Sequence, residues 1–209
     1  MKTQDLQQVR PGFHDLAIGS QAAFRTALSA LSHPGRVIEI PEVSELPRNG
    51  HGAAAILLQA LVDSDCAVWL SPALAGSDTA AWLRFHTGCR WALSPASAHF
   101  LWVAQGDQMP ALASLDAGTQ AYPDQSATCV LEVQVLCTDD ADGMVLTGPG
   151  IAQAQRLGVQ GLPGDFIAQW AANHASFPRG VDLFLATATH ITGLPRSTCV
   201  RAARVSQEV

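Results

Sequence analysis

The stretch from His99 to Ala104, HFLWVA, is a nearly continuous apolar run of strand length. Because its apolar residues do not alternate with polar ones, it is typical of a strand buried on both faces. The segment CAVWL, which ends at Leu70, has the same character. Segments with helical periodicity lie around these two. Parallel neighbouring strands need helices as crossovers, so the sequence predicts an α/β fold with a mostly parallel or mixed sheet covered by helices.

Four helices are predicted from apolar stripes with helical spacing. The first is capped by Ser20 and ends at His33-Pro34-Gly35, and the third begins at a second cap, Ser77. The stripes consist of Phe24, Ala27, Leu28 and Leu31 in the first helix, Ala54, Leu57, Leu58 and Leu61 in the second, Trp82 and Phe85 in the third, and Phe166 and Trp170 in the fourth. Further strands are expected at 37–40, 181–187 and 199–205, and residues 41–52 read as a loop.

The segment VLEVQVL, residues 130–136, alternates apolar residues with Glu132 and Gln134. This pattern predicts a strand with one solvated face that carries both polar side chains. The following run DDADG, residues 139–143, reads as a solvated hairpin turn, since it lacks the later glutamate and the full spacing of a calcium-binding loop.

Length and charge restrict the function classes. With 209 residues, 48% of them hydrophobic, the chain is expected to form a single domain over 1–209, with a loose segment at 1–12. The net charge of -6 and scattered arginines argue against a nucleic-acid or membrane-surface partner. The start of the chain does not resemble a signal peptide, and its longest apolar tract, near 53–62, is too short to span a bilayer. A soluble cytoplasmic protein is expected.

Cysteine and lysine usage excludes several chemistries. The five cysteines are odd in number and none form a C-x-x-C pair, so free, mostly buried thiols are expected, with no metal site. The only lysine is Lys2, which leaves no residue for a Schiff base with pyridoxal phosphate and no P-loop lysine. No G-x-S-x-G motif or H-x-x-x-H spacing occurs either. No catalytic residue and no cofactor are predicted.

A few residues remain candidates for ligand or subunit contacts. Gly148 and Gly150, the glycines of LTGPGI, are predicted to form a turn, and a contact with a ligand or subunit is their secondary role. A phosphate-binding loop is disfavoured because Pro149 has no N–H to donate to a phosphate. In LRFHTG, Arg84 and His86 lie at a predicted helix end, where capping would also explain them. Two further arginines follow prolines at element edges and suit either a carboxylate or phosphate ligand or a surface salt bridge: Arg179 and Arg196.

Six segments together resemble one family, the H subunit of the bacterial carbon-phosphorus lyase system for phosphonate breakdown. They occur in the order expected for that family and span nearly the whole chain. The segments are SQAAFRTALSALSHPG, LRFHTG, YPDQSAT, LTGPGI, WAANHASFP running into RGVDLFL, and GLPRST. HDLAIG near the start and the serine of LPRST depart from the family pattern, which leaves the role of Ser197 open.

The resemblance implies a fold similar to the large domain of pyridoxal-phosphate-dependent transferases without the cofactor. It also implies a homodimer that joins the G, I and J subunits. The family role is that of an accessory, non-catalytic subunit for phosphonate activation, in which a phosphonate displaces adenine from ATP to give a ribose 1-phosphonate 5-triphosphate. Two alternatives stay open: a free-standing enzyme that binds a phosphorylated metabolite with Arg84, His86 and Arg196, and a purely structural homodimer.

Overall fold

A computed structural model describes residues 10–40, 46–138, 140 and 142–203. Its helices are α1 (Leu16–Ser32), α2 (Gly52–Leu61), α3 (Pro72–Ala75), α4 (Asp78–Thr87) and α5 (Phe166–Ala175). Its strands are β1 (Ile38–Glu39), β2 (Ala67–Leu70), β3 (Arg90–Trp91), β4 (Phe100–Val103), β5 (Thr128–Glu132), β6 (Val135–Thr138), β7 (Met144–Thr147), β8 (Gln155–Gln160), β9 (Asp182–Ala186), β10 (His190–Leu194) and β11 (Cys199–Arg201).

The strands form two sheets. The larger has seven strands in the order β1-β10-β9-β5-β4-β2-β3. Its pairs from β9 to β3 are parallel, while β10 is antiparallel to both neighbours. The smaller sheet is antiparallel, in the order β11-β7-β8-β6. The predicted α/β class and mixed sheet are confirmed, and the run HFLWVA supplies β4, a strand in the interior of the larger sheet.

Apolar residues on the two faces of the larger sheet belong to two cores. Val130 of β5 packs with α1, α2 and α4, whereas its neighbours Cys129 and Leu131 pack with α5 and the smaller sheet. This alternation is the two-residue period of a strand that is covered on both sides. Among the described residues, no helix has both the length and the apolar content to cross a membrane.

The start of the first helix differs from the prediction. Ser20 lies inside α1, and the cap is Asp15, whose Oδ1 accepts hydrogen bonds from the N of Ala17 and Ile18, both at 3.0 Å. An N-cap carboxylate satisfies two amides that no earlier turn can serve, and Ser20 instead donates to the carbonyl of Leu16. The cap predicted at Ser77 is confirmed, since its Oγ accepts from the N of Thr79 at 3.2 Å.

Only half of the apolar stripe predicted for this helix faces the core, namely Ala27, which is buried, and Leu31, which is partly buried. Phe24 and Leu28 are about half exposed, at 47% and 50%. The buried face of α1 consists of Gly19, Ala23, Ala27 and Ala30. Helix α1 packs so closely on β10 that a Cβ on Gly193 would lie 2.6 Å from the carbonyl oxygen of Ala30. Small residues permit this approach, and Phe24 and Leu28 face outward.

The prediction of one half-solvated strand in VLEVQVL is wrong. The segment is divided between two sheets, because β5 ends at Glu132 and β6 begins at Val135. Glu132 is 3% exposed, since β5 is a central strand with helices on both faces. The hairpin predicted at 139–143 is wrong as well, because β6 and β7 lie on opposite sides of β8 and do not pair. Asp139 and Ala141 of that run lie outside the described residues.

Three other predictions fall partly outside the described residues. The predicted loose segment at 1–12 is not described over residues 1–9, which include Lys2. The predicted loop at 41–52 is not described over residues 41–45, and the predicted last strand is not described at 204–205. Within the described residues, Gly12 is buried, and the last strand ends at Arg201.

Candidate functional site

The turn in LTGPGI lies between the end of α1 and the segment that enters β11. Gly148 and Gly150 have φ angles of +136° and +82°, which disfavour any side chain. A Cβ on Gly148 would come within 2.9 Å of the carbonyl oxygen of Ser197, and one on Gly150 would overlap the carbonyl oxygen of Ser32. Both glycines therefore allow the turn to touch the backbone of another segment, as the sequence predicts for a turn.

Arg196 is engaged within the chain. Its Nε and Nη2 donate to the two oxygens of Asp182, at 3.1 and 2.5 Å, and its Nη1 donates to the carbonyl oxygen of Pro123 at 2.6 Å. The N of Arg196 also donates to Asp182 at 2.8 Å. The side chains of Arg196 and Asp182 are only 13% and 21% exposed. This forked pair joins β9 to the loop before β5 and the loop after β10.

The end of α5 completes the same region. The carbonyl oxygen of Arg196 is 2.9 Å from Nδ1 of His174. The side chain of Asn173 accepts from the N of Val181 at 2.8 Å and donates to its carbonyl at 2.9 Å. A Cβ on Gly180 would lie 3.3 Å from the Cβ of Arg196. Five of the six family-like segments therefore meet around Arg196 and the LTGPGI turn, a group of contacts that we call the Arg196 hub.

The remaining segment, LRFHTG, is elsewhere. Arg84 and His86 lie in the last turn of α4, which ends at Gly88 with φ of +71°, as the capping interpretation predicts. Nε2 of His86 is 2.8 Å from the carbonyl oxygen of Arg10, and its ring contacts Phe85 edge-on. Helix α4 leads into β3, and β5, β4 and β2 separate that edge strand from β9. The structure does not bring Arg84 and His86 to the Arg196 hub.

Arg179 is exposed at the mouth of a cavity of about 560 Å³ between α5 and residues 111–117. A second cavity, of about 610 Å³, lies beside the LTGPGI turn. Gly150, His33 and the exposed Arg36 contribute to its wall. At both of these places a residue predicted from the sequence borders an open volume.

The sequence pattern does not indicate the environment of Glu132. Its Oε1 accepts from Nε1 of Trp102 at 2.8 Å and from the N of His51 at 2.5 Å, and its Oε2 accepts from the N of Gln105 at 3.1 Å. His51 Nε2 lies 4.0 Å from Oε2. The available signal is that a carboxylate inside a run of strand-forming apolar residues must find donors when the strand is central. This cluster lies at the carboxyl edge of the parallel strands, where open α/β sheets bind ligands.

The thiols are unpaired, as predicted, but they are not mostly buried: Cys89 and Cys129 are buried, Cys66 and Cys199 are partly exposed, and Cys137 is exposed. Burial raises the pKa of the Cys129 thiol to about 12 and also raises the pKa of Cys89. A thiol with a raised pKa is a poor nucleophile near neutral pH. Within the described ranges, no group of three or more His, Cys, Asp and Glu side chains is arranged to hold a metal ion.

Comparison with known proteins identifies the family. A family model described as "Bacterial phosphonate metabolism protein (PhnH)" matches residues 11–201. The alpha-D-ribose 1-methylphosphonate 5-triphosphate synthase subunit PhnH of Rhizobium meliloti (strain 1021) is 34% identical over 186 residues, which are 89% of this chain and 92% of that protein. The putative C-P lyase subunit protein HtxG of Stutzerimonas stutzeri is 36% identical over 184 residues, 85% of this chain and 84% of that protein. The resemblance inferred from the six segments is thereby confirmed, and the chain belongs to the PhnH family of bacterial phosphonate metabolism proteins.

Proposed function

We propose that the chain is an accessory subunit of a carbon-phosphorus lyase core complex. In this role it is required for phosphonate activation, the formation of a ribose 1-phosphonate 5-triphosphate from a phosphonate and ATP, without catalysing the step itself. The observation that carries the proposal is the match of the PhnH family model across residues 11–201, with a relative named as a subunit of the corresponding synthase.

The geometry supports an assembly role more than a catalytic one. Arg196, one of the two arginines that the sequence offers for a carboxylate or phosphate ligand, has Asp182 and Pro123 as acceptors for its Nε, Nη1 and Nη2. The rival enzyme needs Arg84, His86 and Arg196 around one turn, and the structure separates the first two from the third. A ligand in the cavity beside the LTGPGI turn would have Arg36 as its exposed cation.

Subunits G, I and J are the proposed partners, together with a second copy of the chain. The proposed fold relationship is to the large domain of pyridoxal-phosphate-dependent transferases, and a seven-stranded mixed sheet with helices on both faces suits it. A cytoplasmic location is proposed because all five cysteines are unpaired, as a reducing compartment keeps them.

Co-expression with the G, I and J subunits of the same source tests the proposal. The complex is captured through a tag on subunit I and analysed by native mass spectrometry. We expect this chain in fixed stoichiometry, and loss of phosphonate-dependent growth when its gene is deleted. A free dimer beside an assembled G, I and J complex would overturn the accessory-subunit assignment. Calorimetry of the isolated chain with ATP and methylphosphonate then tests the rival, which requires a measurable heat of binding.

A further inference from the structure

A long trough runs beside α5 on the face opposite α1 and α2. Two cavities form it, of about 560 and 430 Å³, and they share Ala111, Asp165 and Gln169. Helix α5 has ten residues, so the part of the trough along it is about 15 Å long. We call this feature the α5 trough. Its length and continuity suit a segment of polypeptide better than a compact metabolite.

The floor of the α5 trough is made of short side chains. Ala168 and Ala172, one helical turn apart, are exposed on α5, and they face the wall that residues 111–117 form. The polar side chains along it are already bonded within the chain: Gln169 to the N of Leu112 and to Asp165, and Asn173 to Val181. Small side chains of this kind let another backbone approach closely, while the satisfied polar groups leave few donors to grip a phosphate.

The two ends of the trough carry opposite charges. Asp165 lies at the amino end of α5 and Asp107 lines the cavity beside it. Arg179 lies beyond the carboxyl end of the helix and is exposed, and its guanidinium makes no hydrogen bond or ion pair within the described part of the chain. An acidic group at the amino end of a helix and a basic group at its carboxyl end each interact favourably with the helix dipole, which stabilises the helix by about 0.3–1 kcal/mol per group. That effect accounts for the signs of the charges but does not account for the apolar surface beside Arg179.

Two large aromatic side chains are exposed near the Arg179 end. Phe177 is 61% exposed and Tyr122 is 59% exposed. Phe177 lies two residues before Arg179. The N of Gly180 donates to the carbonyl of Ala117 at 2.9 Å, and a Cβ on the neighbouring Gly118 would lie 2.9 Å from the carbonyl oxygen of Tyr122. Exposed aromatic residues around an arginine are typical of the residues that dominate protein–protein binding energy.

We propose that the α5 trough is the docking site for a segment of a partner subunit of the core complex. The segment places a carboxylate on Arg179, packs an apolar residue against Phe177 and Tyr122, and presents a cationic side chain toward Asp165 and Asp107. Charge complementarity fixes its direction along α5. This inference rests on the proposed function and adds to it the surface and the chemistry of the contacting segment.

Two variants test the trough, each with a matched control on the opposite face of the sheet. Arg179→Glu reverses the charge, and Arg25→Glu makes the same change on α1. Ala172→Trp fills the trough, and Ala17→Trp adds the same bulk to the exposed side of α1. All four positions are exposed, so folding should survive, and circular dichroism with thermal unfolding verifies this. Each variant is co-expressed with tagged subunit I and with G and J.

We expect each trough variant to reduce the amount of chain in the captured complex at least tenfold, while both controls incorporate like the wild-type chain. Wild-type incorporation of both trough variants would overturn the inference and leave the proposed function intact, whereas absence of the wild-type chain from the complex would overturn the proposed function itself. If the trough variants instead convert an isolated dimer to a monomer, the occupant is a second copy of the chain and the proposal is wrong. If they abolish binding of methylphosphonate while assembly is unchanged, the occupant is a small molecule and the proposal is wrong as well.

Discussion

Arg196 shows how one guanidinium can connect several parts of a chain. We expect Arg196→Ala to lower the free energy of unfolding by about 2–4 kcal/mol, because it leaves the half-buried carboxylate of Asp182 without its partner. Arg196→Lys should recover only part of the loss, since an ammonium cannot fork onto both oxygens. Urea unfolding of the three proteins measures this. A change below about 0.5 kcal/mol, the usual size at an unengaged surface site, would show that the pair contributes nothing to folding.

Thiol accessibility is a second residue-level property with a clear outcome. Cys137 is exposed, while Cys129 is fully buried with its thiol pKa raised to about 12. At pH 8 we expect an aromatic disulfide reagent to modify Cys137 quickly and Cys129 only after unfolding in urea. Peptide mass spectrometry assigns the label, and Cys137→Ser serves as the control that should lose the fast phase. Rapid labelling of Cys129 in the native protein would contradict its position in the core.

At this scale the sequence predicts residue chemistry better than residue environment. The unpaired thiols follow from their odd number and spacing, and the end of α4 follows from Gly88. The burial of Glu132 does not follow, because its alternation with apolar neighbours such as Leu131 and Val133 is equally typical of a half-solvated strand. Only the position of β5 in the centre of the sheet decides between the two environments.

The LTGPGI turn makes a prediction about an element rather than a residue. Gly150→Ala should cost about 1–2 kcal/mol for the positive φ alone, plus the cost of moving α1's last turn away from the new methyl group. Gly106→Ala is the matched control, since Gly106 has a similar φ of +88° but nothing within 4 Å of the new Cβ. Thermal and urea unfolding should therefore show a larger loss for Gly150→Ala. Equal losses would mean that the turn does not pack tightly on α1.

The start of α4 predicts a dependence on pH. Partial burial raises the pKa of Asp78, but hydrogen bonds from the N of Arg48 and from Asn49 outweigh it and hold the pKa below its ordinary value of 3.8. A carboxyl whose pKa is lowered by folding stabilises the protein above its unfolded pKa, and this contribution is lost as the pH falls through the folded pKa.

Asp78→Asn should therefore destabilise the chain at pH 7 and lose that difference as the pH falls below 3.8. Urea unfolding at several pH values measures the difference between the two proteins. Asp124→Asn, in an exposed turn, is the control. A difference from wild type that does not vary with pH would contradict the role of the Asp78 charge.

Element boundaries are predictable where one local signal acts alone. Ser77 is followed directly by its helix, so the sequence indicates this cap correctly. At α1 the more effective cap, Asp15, stands before Leu16 and Ile18, which are 65% and 68% exposed. A prediction that begins the helix at its first buried apolar residues therefore places the start of α1 about one turn too late. Helices that pack through glycine and alanine will be misread in this way whenever size is taken as the sign of burial.

At the scale of the whole molecule, the parallel strands in the interior of the larger sheet were predictable, whereas β3 and β10 of that sheet and the pairing within the smaller sheet were not. Strands β2, β4, β5 and β9 are apolar runs separated by helices or long loops, which is the pattern of a parallel sheet. The smaller sheet joins strands from separate parts of the chain, since β11 lies more than thirty residues after β8 and yet pairs with β7. Its pairing depends on contacts between distant segments, and no local pattern in β6, β7 or β8 encodes them.

Glu132 links distant parts of the molecule across the carboxyl edge of the larger sheet. Glu132→Ala removes the acceptor of Trp102, His51 and Gln105. Because a buried donor such as Nε1 of Trp102 costs about 1–3 kcal/mol when it has no partner, we expect a loss of at least about 1 kcal/mol. The exposed neighbour Gln134→Ala should change the free energy of unfolding by no more than about 0.5 kcal/mol. Similar small losses in both variants, measured by urea unfolding, would contradict a structural role for the Glu132 carboxylate.

Both margins of the larger sheet, β1 and β3, are strands of only two residues. A long open margin offers a row of free amide and carbonyl groups onto which a further chain can add. Here that row is too short to template one, so growth into ribbons or fibres by backbone pairing is suppressed at both margins. Contacts that other proteins make at these two margins must therefore depend on side-chain shape and charge rather than on backbone pairing.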